Sequence, residues 1–252
     1  MDVICQKPFT TSLAEAEEAV AITEEAGIRL IIHENFRFQP WYRSIARLLH
    51  ENILGDLYSV QFRLRPGDGQ GPEAYMERQP TFQQMPRFLV NETAVHLFDV
   101  FRYLFGEINS VYADLRRLNP AIQGEDAGHV LLQFANGLSG HFDGNRLADH
   151  PAENRRLTMG ELCIEGSGGE LVLTGDAQIM LRRFGDNEWL DHPYEWLDNG
   201  FGGDCVFRLQ EHVLQHLLNG TKLENTGQEY LRNLRLVEAV YASAEQERMM
   251  RI

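Results

Sequence analysis

The chain has 252 residues, of which 43% are hydrophobic and 24% charged, as is typical of a folded protein with one large core or two smaller ones. Its net charge of −14 argues against nucleic acid and anionic membranes as partners, because both are bound largely through lysine and arginine. Three widely spaced cysteines without a C-x-x-C pair indicate reduced thiols, and neither a signal peptide nor an apolar run of about 20 residues is evident, so we expect a soluble cytoplasmic protein.

The first elements predict a parallel β–α–β unit. Residues 3–8 are typical of a buried strand that ends at Lys7 and is stopped by Pro8. A helix over 12–26, with a capping box at its start, leads to a second apolar strand at 29–33. Active sites of open parallel sheets lie at the carboxyl ends of their strands, so Lys7 is a candidate for chemistry.

The rest of the chain predicts a mostly antiparallel sheet. Residues 57–65 alternate between apolar and polar side chains, which indicates a half-buried strand. A loop rich in glycine and proline follows at 66–86. We expect helices at 41–51, 91–105, 204–218 and 227–246, and strands at 110–117, 127–135, 138–146, 157–165, 170–174 and 177–184. The predicted fold class is therefore α/β (α+β), with helices on one face of an open-faced sheet that follows a β–α–β remnant.

The run from Asn91 to Asp99 carries the second candidate site. Glu92 and His96 are four residues apart, so an α-helix would place them on one stripe, where the carboxylate could orient the imidazole as a general base. The same pattern would arise from a first-turn glutamate favoured by the helix dipole and a histidine with a structural role. For Lys7, the structural alternative is a surface lysine that ends a strand.

Three other patterns are weak. Gly67–Gly71 runs into Pro72 rather than a helix, so it does not predict a phosphate cradle. His212 and His216 have helical spacing for a metal, but no third ligand is evident, and we expect no metal site. No G-x-S-x-G motif indicates a nucleophilic serine.

Several motifs, in order along nearly the whole chain, resemble those of the Gfo/Idh/MocA (glucose–fructose oxidoreductase / inositol dehydrogenase) oxidoreductase family. Residues 5–8 are similar to its E-K-P motif, and residues 35–40 to its N-x-R-F-x-P segment. Residues 92–99 resemble D-x-G-x-H-x-x-D, and 102–106 resemble R-x-L-x-G. The chain departs from these patterns at three positions, with Gln6 for Glu, Glu92 for Asp and Ala94 for Gly.

The resemblance implies NAD(P)-dependent hydride transfer on a sugar, polyol or related hydroxy or carbonyl compound. By position, Lys7 would contact the reacting hydroxyl and the nicotinamide ribose, His96 would move the proton, and Glu92 would support His96. The resemblance further implies cofactor contacts from Gln6, Lys7, Pro8 and Arg37. Position along the chain suggests substrate contacts from the loop at 66–88, with Tyr75, Arg78 and Arg87 as candidates, and from the strand end at 141–146. Asp99 is a further expected substrate contact. The identity of the substrate and the choice of NAD or NADP stay open.

The resemblance also implies a Rossmann core with a G-x-G-x-x-G turn, of which about three βαβ units of ~30 residues would precede Asp2. We therefore expect residues 1–38 to be a remnant of the dinucleotide-binding domain and 39–252 to form a substrate-binding and oligomerisation domain. We also expect this chain alone to bind NAD(H) weakly or not at all, and to be inactive. The alternative is a non-catalytic sugar-binding, scaffold or regulatory protein of the same fold.

The predicted sheet also bears on assembly. In the strand at 127–135, Val130 and Leu132 point to one face, while His129, Leu131 and Gln133 point to the other. The second face is thus half-apolar, and too few helices remain to cover it. We expect a homodimer or higher homo-oligomer through this face, the alternative being a monomer with a solvated sheet.

Overall fold

The computed structural model describes residues 2–252, which form two sheets and five α-helices. The strands are β1 Asp2–Gln6, β2 Arg29–His33, β3 Leu57–Leu64, β4 Ile108–Arg116, β5 Ala127–Phe134, β6 Ser139–Asn145, β7 Gly160–Gly166, β8 Gly169–Leu173, β9 Ile179–Arg183, β10 Leu190–Asp191 and β11 Met250–Arg251. The helices are α1 Leu13–Glu25, α2 Pro40–His50, α3 Val95–Phe105, α4 Phe201–Asn219 and α5 Gly227–Gln246. Within this range no helix is long and apolar enough to cross a membrane.

The small sheet is the expected β–α–β unit. β1 and β2 pair in parallel, and Gln6 lies opposite His33 at their carboxyl ends. The Ser12 hydroxyl caps α1 by accepting a hydrogen bond from the Glu15 backbone N–H at 3.3 Å. Ala16 and Val20 of α1 pack on Leu231 of α5, which joins this unit to the rest of the molecule.

The large sheet has the strand order β10-β9-β8-β7-β3-β6-β5-β4-β11, in which β3 and β6 pair in parallel and the other neighbours are antiparallel. Its inner face is apolar: Phe62, Val130 and Phe142 are fully buried in a core shared with α3 and α5. The outer face is mixed, with Leu131 51% and Tyr112 38% exposed. The predicted α+β architecture with an open-faced sheet is confirmed.

The structure corrects two boundaries and adds two short strands. The strand expected at 157–165 starts at Gly160, because Met159 has a φ of 61° and interrupts extended backbone. The helix expected at 91–105 starts as a π-helical turn over Leu89–Ala94. β10 and β11 were not predicted, since two-residue strands leave no readable alternation.

Candidate active site

A cavity of about 200 Å³ lies where the carboxyl ends of β1 and β2 meet the start of α3. Gln6, Lys7, His33, Asn35 and Phe36 at the two strand ends form one wall, and Glu92, Thr93 and His96 form another. The loops over 68–82 and 146–159 close the remaining sides, together with the start of α4. Strand-end placement is where open parallel sheets bind ligands, so this cavity is the candidate active site.

Lys7, Glu92 and His96 all line this cavity, so the structure brings the three side chains together. The Lys7 Nζ donates to the backbone oxygen of Glu92 at 2.6 Å and to its Oε2 at 3.0 Å. Only 7% of the Lys7 side chain is exposed. Since an ammonium has three N–H donors, the pairing with Glu92 leaves one for a ligand oxygen.

His96 is oriented by Glu34, whereas the sequence assigned that role to Glu92. The His96 Nδ1 lies 2.7 and 2.8 Å from the two carboxylate oxygens of Glu34, and the His96 ring stacks on Phe36 with centroids 4.1 Å apart. The expected stripe fails because residues 89–94 are π-helical, so the spacing of 3.6 residues per turn does not hold between Glu92 and His96.

The protonation of the pair follows from the surroundings of Glu34. The carboxylate is fully buried, and it accepts hydrogen bonds from the Phe36 N–H at 3.2 Å and the Tyr230 hydroxyl at 3.3 Å. Burial alone would raise the pKa of Glu34, but the charge and hydrogen bond of His96, the charge of Lys7 and the Phe36 N–H hold it below its ordinary value of 4.5. Glu34 is therefore an anion near neutral pH, so His96 Nδ1 carries the hydrogen and Nε2 is left for a ligand.

Glu34 was not among the predicted site residues. It directly follows β2 as Lys7 directly follows β1, and the pairing of Gln6 with His33 places the two positions side by side. The strand-end argument that singled out Lys7 applied to Glu34 equally.

The predicted residues Arg37 and Asp99 lie outside the cavity lining and bind each other. Arg37 donates to both carboxylate oxygens of Asp99, at 2.7 and 2.5 Å, and the Asn233 amide donates to Asp99 at 2.6 Å. Glu224 lies 3.6 Å from the same guanidinium. This network joins the segment after β2 to α3 and α5. The main role of these side chains is therefore to hold the cavity walls together.

The remaining predicted residues divide between the cavity and the surface. Gln6 lines the cavity, whereas Pro8 does not. The Tyr75 hydroxyl lies behind the wall, where it donates to Asp68 at 3.2 Å and accepts from Arg146 at 2.8 Å. Arg87 pairs with Glu238 at 2.6 Å, away from the lining residues. We therefore leave Arg87 out of the proposed site.

Arg146 was not predicted, although it belongs to the cavity wall. Its side chain is 4% exposed and pairs with Asp68 at 2.7 Å, while it also donates to the Thr93 hydroxyl at 2.6 Å. The arginine follows β6, and the signal available in the sequence was the strand end at 141–146. Arg146 joins the loop at 68–82 to the helical segment that carries His96.

Two orphaned polar atoms test whether the cavity fits a nicotinamide. His33 Nδ1 and Asn35 Oδ1 are buried without a hydrogen-bond partner among residues 2–252, and both residues line the cavity beside Lys7. Buried polar atoms are almost always paired, so these two are candidates for hydrogen bonds with a bound group. A carboxamide offers both a donor and an acceptor, so the residues present fit the nicotinamide end of the cofactor.

The histidine pair at 212 and 216 has other partners. His212 Nε2 accepts from the Glu224 N–H at 3.0 Å, and His216 Nε2 lies 2.8 Å from the Arg29 guanidinium. Over the described range, no group of three histidine, cysteine or acidic side chains has a geometry suited to a metal ion.

The site thus combines a strand-end lysine with a carboxylate–histidine pair, in a chain whose remainder is a mostly antiparallel sheet with helices. Residues 42–172 match the model of the GFO/IDH/MocA C-terminal domain, which is just over half of the chain. The chain belongs to the Gfo/Idh/MocA oxidoreductase family, as its motifs indicated.

The chain is also similar to named members of the family. It is 31% identical to a D-apiose dehydrogenase of Paraburkholderia graminis over 99% of its length, and spans 66% of that relative, just under two thirds. It is 28% identical to the D-apiose dehydrogenase of Rhizobium rhizogenes, spanning 72% of it. Among solved structures, an oxidoreductase from Agrobacterium radiobacter in complex with NAD+, L-tartaric acid and magnesium matches with a TM-score of 0.85 and 26% identity, covering 98% of this chain and 72% of that one.

Proposed function

We propose that the cavity carries out NAD(P)-dependent hydride transfer on a sugar, polyol or related hydroxy or carbonyl compound. The observation that carries the proposal is the convergence of Lys7 and His96, each held by its own carboxylate, on one strand-end cavity. Such a pair suits the reaction, because one group can hold the reacting oxygen while the other moves its proton.

Each residue has a separate task in the proposed reaction. His96 takes the hydroxyl proton at Nε2 during oxidation and returns it during reduction, while Glu34 holds Nδ1–H and stabilises the imidazolium. The free N–H of Lys7 donates to the substrate oxygen as negative charge develops there. A bound nicotinamide would supply the hydride acceptor, and Asn35 and His33 would hold its carboxamide.

The relatives support a small polyhydroxy substrate. Two of them are D-apiose dehydrogenases, and the Agrobacterium structure holds NAD+ with L-tartaric acid, which is a hydroxy acid. The first test is NADH formation from NAD+ at millimolar concentration, with D-apiose and related sugars as substrates. Formation that depends on His96 would support the proposal and would correct the expectation that this chain alone is inactive, whereas formation that His96→Gln leaves unchanged would contradict the proposal.

We propose that the chain divides into two domains near residue 39. The match to the C-terminal domain starts at residue 42, which supports a boundary close to that position. Residues 1–38 then provide the nicotinamide side of the cavity and residues 39–252 the sugar side.

We expect the isolated 252-residue chain to bind NAD(H) weakly. Dinucleotide phosphates usually bind at a glycine-rich turn that opens a helix, and neither β1 nor β2 is followed by one. Titration by nicotinamide fluorescence should give a dissociation constant well above the micromolar range, and Asn35→Ala should remove any remaining signal. A dissociation constant of about 1 μM or tighter would show that the prediction is wrong.

We further propose that the open sheet face joins two copies of the chain. Tyr112, Leu131 and His141 form one cross-strand row on this face, with apolar side chains among polar ones. Light scattering at tens of micromolar should therefore report a dimer, and Leu131→Glu should convert it to a monomer by placing a charge in the interface. Leu218→Glu is the matched control, since Leu218 is 69% exposed on α4; a monomeric unmodified chain would refute the interface.

A further inference from the structure

The cavity has an excess of positive charge that the proposed reaction does not use. Its lining contains four basic side chains (Lys7, Arg78, Arg146, Arg156) and two acidic ones (Asp68, Glu92). Lys7 pairs with Glu92 and Arg146 with Asp68, so both carboxylates are neutralised. Two arginines remain uncompensated in a protein whose net charge is −14.

Arg78 and Arg156 are these two residues. Neither guanidinium makes a hydrogen bond or an ion pair with any other residue between positions 2 and 252. In contrast, the neighbouring Arg155 lies 3.0 Å from Asp149 and does not line the cavity.

The two arginines mark the outer end of the cavity. Both also line an adjoining pocket of about 530 Å³, which Lys7 and His96 do not reach. Asp198 borders that outer pocket but not the inner cavity, and it pairs with neither arginine. A ligand whose reacting carbon lies at His96 would therefore extend its far end towards Arg78 and Arg156.

We propose that the substrate is an acidic sugar derivative, whose anionic group, a carboxylate or a phosphate, binds between Arg78 and Arg156. The inference rests on the proposed function, because it takes the reacting end of the same ligand to lie at His96. A guanidinium presents a planar fork of donors that matches either group, and a positively lined cleft concentrates anions even in a protein of negative net charge.

Direct binding without nucleotide tests the inference. The probes are D-glucose, D-glucuronate and D-glucose 6-phosphate, which share a ring and differ at carbon 6. We expect at least one anionic probe to bind the 252-residue chain about tenfold more tightly than glucose, because charge-assisted hydrogen bonds are the stronger ones. The better of the two identifies the group, and since no nucleotide is present the preference cannot come from cofactor phosphates.

Three arginine variants distinguish binding at this subsite from non-specific electrostatic attraction between the protein and an anion. Arg78→Ala and Arg156→Ala should each remove most of the preference for the anionic probe over glucose, whereas Arg155→Ala should retain the preference. Equal binding of the three probes would overturn the subsite and leave the proposed function standing, as would an equal loss in Arg155→Ala. Binding of no probe, neutral or anionic, would count against the sugar-binding function and the subsite together.

Discussion

Replacing His96 by Gln is expected to lower the rate of NADH formation about 100- to 10,000-fold, the usual contribution of a positioned general acid–base group. Glutamine keeps a polar side chain of similar reach but cannot take the substrate proton at Nε2. The rate is measured at millimolar NAD+, where even a weakly bound nicotinamide occupies the cavity for part of the time. A loss below about tenfold would remove His96 from the proposed catalytic role.

Two glutamate variants separate the orientation of His96 from the loss of a negative charge in the site. Glu34→Gln should reduce the rate towards that of His96→Gln, because the Glu34 carboxylate holds His96 Nδ1 at 2.7 Å. Glu92→Gln should have a smaller effect, since Glu92 binds Lys7 and not His96. His129→Gln is the control for loss of a histidine, because His129 lies on the open sheet face outside the cavity. Equal losses in the two glutamate variants would contradict the assignment of Glu34.

Replacing Asp99 by Ala is expected to lower the free energy of unfolding by about 3–5 kcal/mol, the usual cost of removing one partner from a buried ion pair. Asp99 is 1% exposed, and its loss leaves Arg37 and the Asn233 amide without their acceptor. Glu224, 3.6 Å from Arg37, compensates only in part, which favours the lower half of the range. Thermal unfolding should show a midpoint lower by on the order of 10 °C.

Asp114→Ala provides the matched control for Asp99. Asp114 is 57% exposed and lies 3.8 Å from Arg116, so its removal should change stability by no more than about 0.5 kcal/mol. A similar small change in Asp99→Ala would show that the Arg37 network does not stabilise the fold.

Local sequence patterns were sufficient to predict most of the fold. The capping box at Ser12 and the apolar strands on either side of α1 specified the parallel unit, because both are properties of neighbouring residues. Alternation along β5 correctly separated buried Val130 from exposed Leu131. The short strands β10 and β11 could not be predicted, since they depend on pairing with β9 and β4 rather than on their own sequence.

The site was harder to predict because its pairs join distant segments. The spacing of Glu92 and His96 suggested a helical pair, but the π-helical turn and the carboxylate of Glu34, 62 residues away, determine the actual partner. Arg37 and Asp99 matched motifs and yet bind each other, because a buried guanidinium needs a carboxylate. Only the tertiary structure distinguishes residues that hold the wall from residues that face the ligand.

Sugar binding in the cavity can be observed directly at Met159, one of the lining residues. In a titration of the methyl-labelled chain with D-apiose and D-glucuronate, followed by methionine NMR signals, we expect the Met159 methyl to shift and that of Met180 on β9 to stay in place. The shift should be lost in a variant whose cavity is blocked, such as Thr93→Trp. A shift confined to methionines outside the cavity, or no shift with either sugar, would contradict the claim that substrate meets Lys7 and His96 there.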